Sequence, residues 1–155
     1  MKNFCPTSLS RLIRLAPLLG ALASFTAVAQ TDPALAAAAK EKGAVVTPSG
    51  LVFVSIKDGT GASPTAADTV KVHYRGTFPD GREFDSSYKR GEAAQFPLGG
   101  VIPCWTEGVQ RIKVGGKAKL TCPSSIAYGS RGAGSSVPPN AVLMFEVELL
   151  EISKR

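Results

Sequence analysis

Histidine is almost missing from this chain, which has one, His73, in 155 residues. A single imidazole cannot supply the ligand set of a zinc site. No serine and aspartate stand in a plausible relation to it for a hydrolytic triad. Cysteine is scarce as well. Cys5, Cys104 and Cys122 are all there are, and the last two add no ligand set to His73. No metal and no cofactor is expected. Long apolar runs are also wanting. Leu15 to Ala27 is broken by small or weakly polar residues and is shorter than the roughly 20 residues a spanning helix needs. There is no internal repeat, no low-complexity tail and no N-x-S/T acceptor.

What is present at the N-terminus reads as a secretory leader. Lys2, Arg11 and Arg14 make a positive region ahead of the apolar run, and Ala27-Val28-Ala29 is an A-x-A cleavage site. The mature chain is expected to start at Gln30, and Cys5 leaves with the leader. An uncleaved anchor is the alternative. Removing 29 of 155 residues leaves 126, enough for one domain with one core. The leader takes three of the 18 basic residues and none of the 12 acidic ones, leaving 15 against 12, a net +3. That balance argues against nucleic acid as a partner. Arg111, Lys113, Lys117 and Lys119 read as a solvated helix end and one strand face. The expected division is a leader at 1–29, an Ala-rich arm at 30–48 and a domain at 49–155. The mature chain is expected to carry no membrane span and to be a monomer.

Turn chemistry and periodicity divide the domain. Asp32-Pro33 caps a short helix over Ala34–Lys42 that stops at Gly43. With little apolar bulk, it is expected to be a frayed arm. Strands are predicted over Leu51–Lys57, Asp68–Phe78 and Arg82–Asp85, with Pro79-Asp80-Gly81 as the turn between the last two. Phe96-Pro97-Leu98 is a short strand. Trp105, Val109 and Ile112 recur at i, i+4 and i+7, predicting a helix over Trp105–Val114 that ends at Gly115-Gly116. Lys117–Thr121 and Ala141–Ile152 complete the strands, with Leu143, Phe145, Val147 and Leu149 facing inward. Pro123–Asn140 is a Gly-, Ser- and Pro-rich loop. One helix amid five or six antiparallel strands implies an α+β fold, a curved sheet closed over the helix.

The aromatic residues gather around one acidic residue, Asp85. An apolar pocket with few polar groups is a ligand site rather than a hydrolytic one. Val72-His73-Tyr74-Arg75-Gly76, Asp80-Gly81-Arg82-Glu83-Phe84-Asp85-Ser86-Ser87, Val101-Ile102-Pro103-Cys104-Trp105-Thr106-Glu107-Gly108 and Ala127-Tyr128-Gly129 resemble the FKBP-type peptidyl-prolyl cis-trans isomerases. The likeness runs in order from about Ser49 to Ile152. It implies a half-barrel sheet wrapped on a short helix, with a hydrophobic pocket between them. Trp105 would be its floor, and Tyr74, Phe84, Phe96 and Phe145 its walls. Val101 and Ile102 would line the entrance, with the Ile102 N–H donating to a substrate carbonyl. Asp85 and Tyr128 would be the catalytic pair, Asp85 near the X-Pro imide and Tyr128 offering its hydroxyl to a second carbonyl.

The resemblance implies an exported, periplasmic or secreted isomerase acting on proline-containing segments of unfolded proteins. Macrolide inhibitors are the small ligands it implies. Ala94, Ala133, Ser136, Pro103 and Cys104 depart from the better-known family pattern and bear on macrolide affinity and peptide preference. Two other functions stay open: a chaperone or adaptor that grips proline segments without turnover, and a secreted virulence or adhesion factor. Taken singly, Trp105, Tyr74 and Phe145 read as core. Asp85 reads as satisfying local backbone donors and Tyr128 as a surface aromatic. His73 reads as structural, since it alternates with Tyr74 and points to the opposite face.

After the leader is gone, Cys104 and Cys122 make an even count in an exported chain. The implied fold lays the end of the Lys117–Thr121 strand beside the helix start. A disulfide between them is expected, with two buried free thiols as the alternative.

Overall fold

The computed structural model describes residues 32–154; the expected leader and Cys5 lie outside them. The strands are β1 (Ala44–Val46), β2 (Val52–Lys57), β3 (Thr69–Thr77), β4 (Glu83–Ser86), β5 (Ala94–Pro97), β6 (Lys117–Cys122) and β7 (Leu143–Ser153). The helices are α1 (Pro33–Ala38), α2 (Ser87–Arg90) and α3 (Pro103–Val109). The strands form one antiparallel sheet in the order β1-β2-β6-β7-β3-β4, with β5 also paired to β3. This is the expected α+β arrangement, a curved sheet around a short helix.

Period-two alternation builds the concave face. Val70, Val72 and Tyr74 of β3 point inward, as do Leu143, Phe145, Val147 and Leu149 of β7. Ala118, Leu120 and Cys122 of β6 join them. Against this face α3 buries Cys104, Trp105, Gly108 and Val109. Pro103 takes its first turn, where a missing N–H costs nothing. Gly108 lets the helix approach β6, because a Cβ there would stand 2.7 Å from Leu120 Cδ2.

The edge of β3 opposite β7 is shared. β5 pairs with its first half, Thr69 to Val72, and β4 with its second, Arg75 to Thr77. Helix α2 crosses the gap at His73 and Tyr74. This break in the ladder sets up the site described below.

Three local expectations are corrected. The helix predicted over Trp105–Val114 begins at Pro103 and ends at Val109. Ile112 is still buried, but a turn carries it there, with its N–H donating to Val109 O at 3.0 Å. Gly115, at φ +87°, then turns the chain so that its N–H reaches Leu149 O at 2.8 Å. The periodicity reported burial; past Val109 the chain continues in tighter turns, Arg111 N–H donating to Gly108 O at 3.1 Å, and these keep Ile112 on the buried side.

The helix predicted over Ala34–Lys42 stops at Ala38. The following residues are not a frayed arm. Ala38 is buried, Lys119 Nζ lies 2.5 Å from Glu41 Oε1, and Ala44–Val46 pairs with β2. The sheet thus starts before residue 49, because β2 has an edge whose backbone groups need partners. Finally, α2 was not predicted; a four-residue helix carries no periodicity to read. Among the described residues no helix is long and apolar enough to cross a membrane.

Candidate active site

Between α3 and the sheet lies a cavity of about 350 Å³, within the range of small-ligand sites. Its walls are Tyr74 from β3, Phe84 and Asp85 from β4, Phe96 from β5 and Phe145 from β7. Gly100, Val101 and Ile102 come from the segment leading into α3, Trp105 from α3, and Tyr128 from the loop after β6. Each residue named from sequence as catalytic or substrate-binding therefore borders one cavity.

Trp105 is 4% exposed and organises the rings. Its indole meets Tyr74, Phe96 and Phe145 edge-to-face, at 5.2, 5.6 and 5.4 Å between centroids and 85°, 87° and 89° between planes. Phe84 meets Phe145 in the same manner at 5.6 Å. Edge-to-face contacts set a positive ring edge on a negative ring face and add about 0.5–1.5 kcal/mol each beyond burial. The rings fix one another, so the cavity is preformed. Gly76 belongs to this packing: a Cβ there would stand 2.7 Å from Phe84 Cζ and 3.1 Å from Phe145 Cε1.

The polar part of the wall is closed on itself. Tyr74 Oη donates to Asp85 Oδ2 at 2.5 Å, and Arg90 Nη1 donates to Asp85 Oδ1 at 2.6 Å. Arg90 Nη2 also donates to Tyr74 Oη at 2.9 Å. Burial pushes the Asp85 carboxyl up, but the hydrogen bonds from Tyr74 and Arg90 and the guanidinium charge outweigh it and hold the group below the usual carboxylate range. Burial and the bond to Asp85 push the Tyr74 phenol up. Near neutral pH Asp85 is an anion and Tyr74 a neutral donor, so this cluster holds no proton ready for transfer.

Arg90 and Gly100 were not foreseen. Arg90 lies five residues beyond Asp85, and α2 folds it back. A cation near the lone pocket carboxylate was a usable signal.

Two donors at the rim have no protein acceptor among the described residues: the Ile102 N–H and the Tyr128 hydroxyl. Ile102 precedes α3 in an extended conformation, so its N–H is not used by the helix. Tyr128 is 40% exposed.

His73 points away from the cavity. Its ring stacks on Tyr88 at 4.8 Å, and its Nδ1 lies 3.1 Å from Ser87 Oγ. Cys104 and Cys122 are joined in a disulfide with Cα atoms 5.9 Å apart. Among the described residues no three His, Cys, Asp or Glu side chains gather as a metal site.

Residues 61–150 match the family described as FKBP-type peptidyl-prolyl cis-trans isomerase. FkpA of Aeromonas hydrophila, an FKBP-type peptidyl-prolyl cis-trans isomerase, is 60% identical over 120 residues, covering 77% of this chain and 44% of that protein. The crystal structure of Escherichia coli FkpA superposes with a TM-score of 0.75 at 49% identity, covering 77% of this chain and 56% of that one. A peptidyl-prolyl cis-trans isomerase from Pseudomonas syringae pv. tomato superposes at 0.73 with 36% identity, covering 78% of this chain and 89% of that one. The chain spans about half the length of the FkpA-type relatives it matches.

Proposed function

Since this chain belongs to the FKBP-type peptidyl-prolyl cis-trans isomerase family, we propose that it accelerates rotation about X-Pro bonds in unfolded exported proteins. The observation that carries this reading is the preformed aromatic cavity over Trp105, whose one carboxylate is already paired. Rotation about a peptide bond faces a barrier of about 18–20 kcal/mol from C–N resonance. X-Pro bonds cross it in tens to hundreds of seconds unaided. Water holds the planar ground state by hydrogen-bonding its polar oxygen. A dry aromatic pocket removes that water and favours the twisted, less polar state. Each 1.4 kcal/mol or so removed from the barrier is tenfold in rate.

Trp105 is the floor on which the proline ring rests, with Tyr74, Phe84, Phe96 and Phe145 around it. Val101 and Ile102 guide the chain in. The Ile102 N–H holds one substrate carbonyl and the Tyr128 hydroxyl another. Asp85, held by Tyr74 and Arg90, presents a fixed negative charge beside the imide. No metal, nucleotide or nucleophile enters the scheme. The disulfide supports an oxidising compartment, of which the periplasm is our choice. Macrolide inhibitors would compete for the same pocket.

The test is relaxation of an X-Pro peptide with and without the protein, with chelator in both arms. Faster relaxation, insensitive to chelator, is the expected result. Binding of the peptide with no change in rate would replace the enzyme with a binding module on the same fold.

A further inference from the structure

The ladder of β3 is broken where β4 leaves and β5 has not begun, and one side chain fills the break. Ser87, fully buried at the start of α2, presents its Oγ to both backbone groups of Tyr74. The Tyr74 N–H donates to it at 2.8 Å, and the hydroxyl lies 3.2 Å from Tyr74 O. A single hydroxyl thus stands in for a neighbouring strand at the residue whose phenol holds Asp85. The same oxygen lies 3.1 Å from His73 Nδ1.

A serine hydroxyl has one hydrogen to give. When His73 carries a proton on Nδ1, the ring donates to Ser87, and Ser87 is free to donate to Tyr74 O. A neutral ring carries its proton on either nitrogen, and in the Nε2–H form Nδ1 is an acceptor that competes for the Ser87 hydrogen. Tyr74 O then loses its partner in a buried setting, which is costly. We propose that Ser87 is a positioning residue for this pocket, and that protonation of His73 Nδ1 on the outer face decides how firmly it anchors Tyr74. The role rests on the isomerase reading above.

The surroundings of His73 are defined on each side. Tyr88 of α2 stacks on it. Glu148 of β7 is its cross-strand partner and accepts from the Tyr88 hydroxyl at 3.4 Å. Lys117 of β6 stands opposite Glu148 and is paired with Glu146 at 3.1 Å. Along β3, Lys71 and Arg75 flank it on the same face, paired with Glu151 at 4.0 Å and Glu83 at 2.8 Å. His73 is the single histidine of the chain. Asp85 and Tyr74 are shifted away from neutrality in opposite directions, so the pocket itself adds no step near neutral pH.

The test is kcat/KM of the full chain from about pH 5 to 8, the range in which histidine side chains change charge. The wild type is expected to turn over about two- to fivefold faster at the acid end, the scale of one partly lost hydrogen bond. His73→Phe, which keeps a stacking ring and removes the acceptor, should give a flat profile at the acid-end value. Ser87→Ala should be flat and low. Because Ser87 is buried, its folding is checked in parallel, and the His73→Phe profile decides the matter if Ser87→Ala fails to fold. In NMR spectra the Tyr74 amide should shift across this pH range in the wild type and not in His73→Phe. Turnover with a flat wild-type profile and a still Tyr74 amide overturns this inference and leaves the isomerase reading standing. No turnover at any pH overturns the isomerase reading, and this role with it.

Discussion

Cys104 and Cys122 tie the first turn of α3 to the last residue of β6, and both are fully buried. Cys104 immediately precedes Trp105, so the bond fixes the pocket floor to the sheet. The closed loop has a sequence separation of 18, for which chain entropy predicts about 3 kcal/mol of stabilisation. The double Cys→Ala variant should lose about that much in urea unfolding. Thiol titration of the denatured, unreduced protein should find neither of these two cysteines free.

Asp85→Asn and Tyr128→Phe should both lower kcat/KM, and Tyr128→Phe should leave the unfolding midpoint nearly unchanged. The Tyr128 hydroxyl is a half-exposed group with no protein partner among the described residues, so its removal orphans nothing. Wild-type turnover in either variant removes that residue from the reaction. Trp105→Ala, in contrast, should cost about 3–5 kcal/mol of stability, since three rings lean on the indole.

Gly76→Ala tests the packing of the cavity wall. The added methyl would press on Phe84 and Phe145, and overpacking of this kind costs about 1–3 kcal/mol. Phe84 borders the cavity, so a displaced ring is expected to narrow it. Peptide KM should rise more than kcat falls; an unchanged KM would show that the ring yields elsewhere.

Acid unfolding should follow the depressed carboxylates. Asp68 is held below its usual pKa by the Thr65 backbone N–H, against some burial and with help from the Thr65 hydroxyl. Glu83 is lowered by its bonds to Lys89 and Arg75, against burial. For Asp85, burial is outweighed by Tyr74 and Arg90. A depressed carboxylate stabilises the fold above its unfolded pKa, and that contribution is lost as pH falls through the folded value. Stability should therefore fall below about pH 4, the ordinary range of these groups. In Asp68→Asn the fall should be shallower, as followed by urea midpoints from pH 5 down to 2.

Much of the fold was legible because it follows local rules. Alternation along Thr69–Thr77 and Leu143–Ser153 marks the buried face of each strand without knowledge of the partner. Pro79-Asp80-Gly81 announces its turn, since Gly81 needs a positive φ. The end of α3 was less legible, because Ile112 keeps a helical spacing while a turn delivers it. Helix α2 left no pattern at all.

By itself the sequence determined the strand order along the chain, the identity of the aromatic set and the family likeness, since these are properties of neighbouring residues and of motifs in order. Tertiary structure alone decided which distant groups meet. Arg90 reaches Tyr74 across 16 residues, and Lys119 meets Glu41 across 78. Such contacts depend on how the sheet curves and where its ladder breaks. The hydroxyl of Ser87 fills that break because the backbone of Tyr74, left unpaired by β4 and β5, would otherwise be buried without a partner.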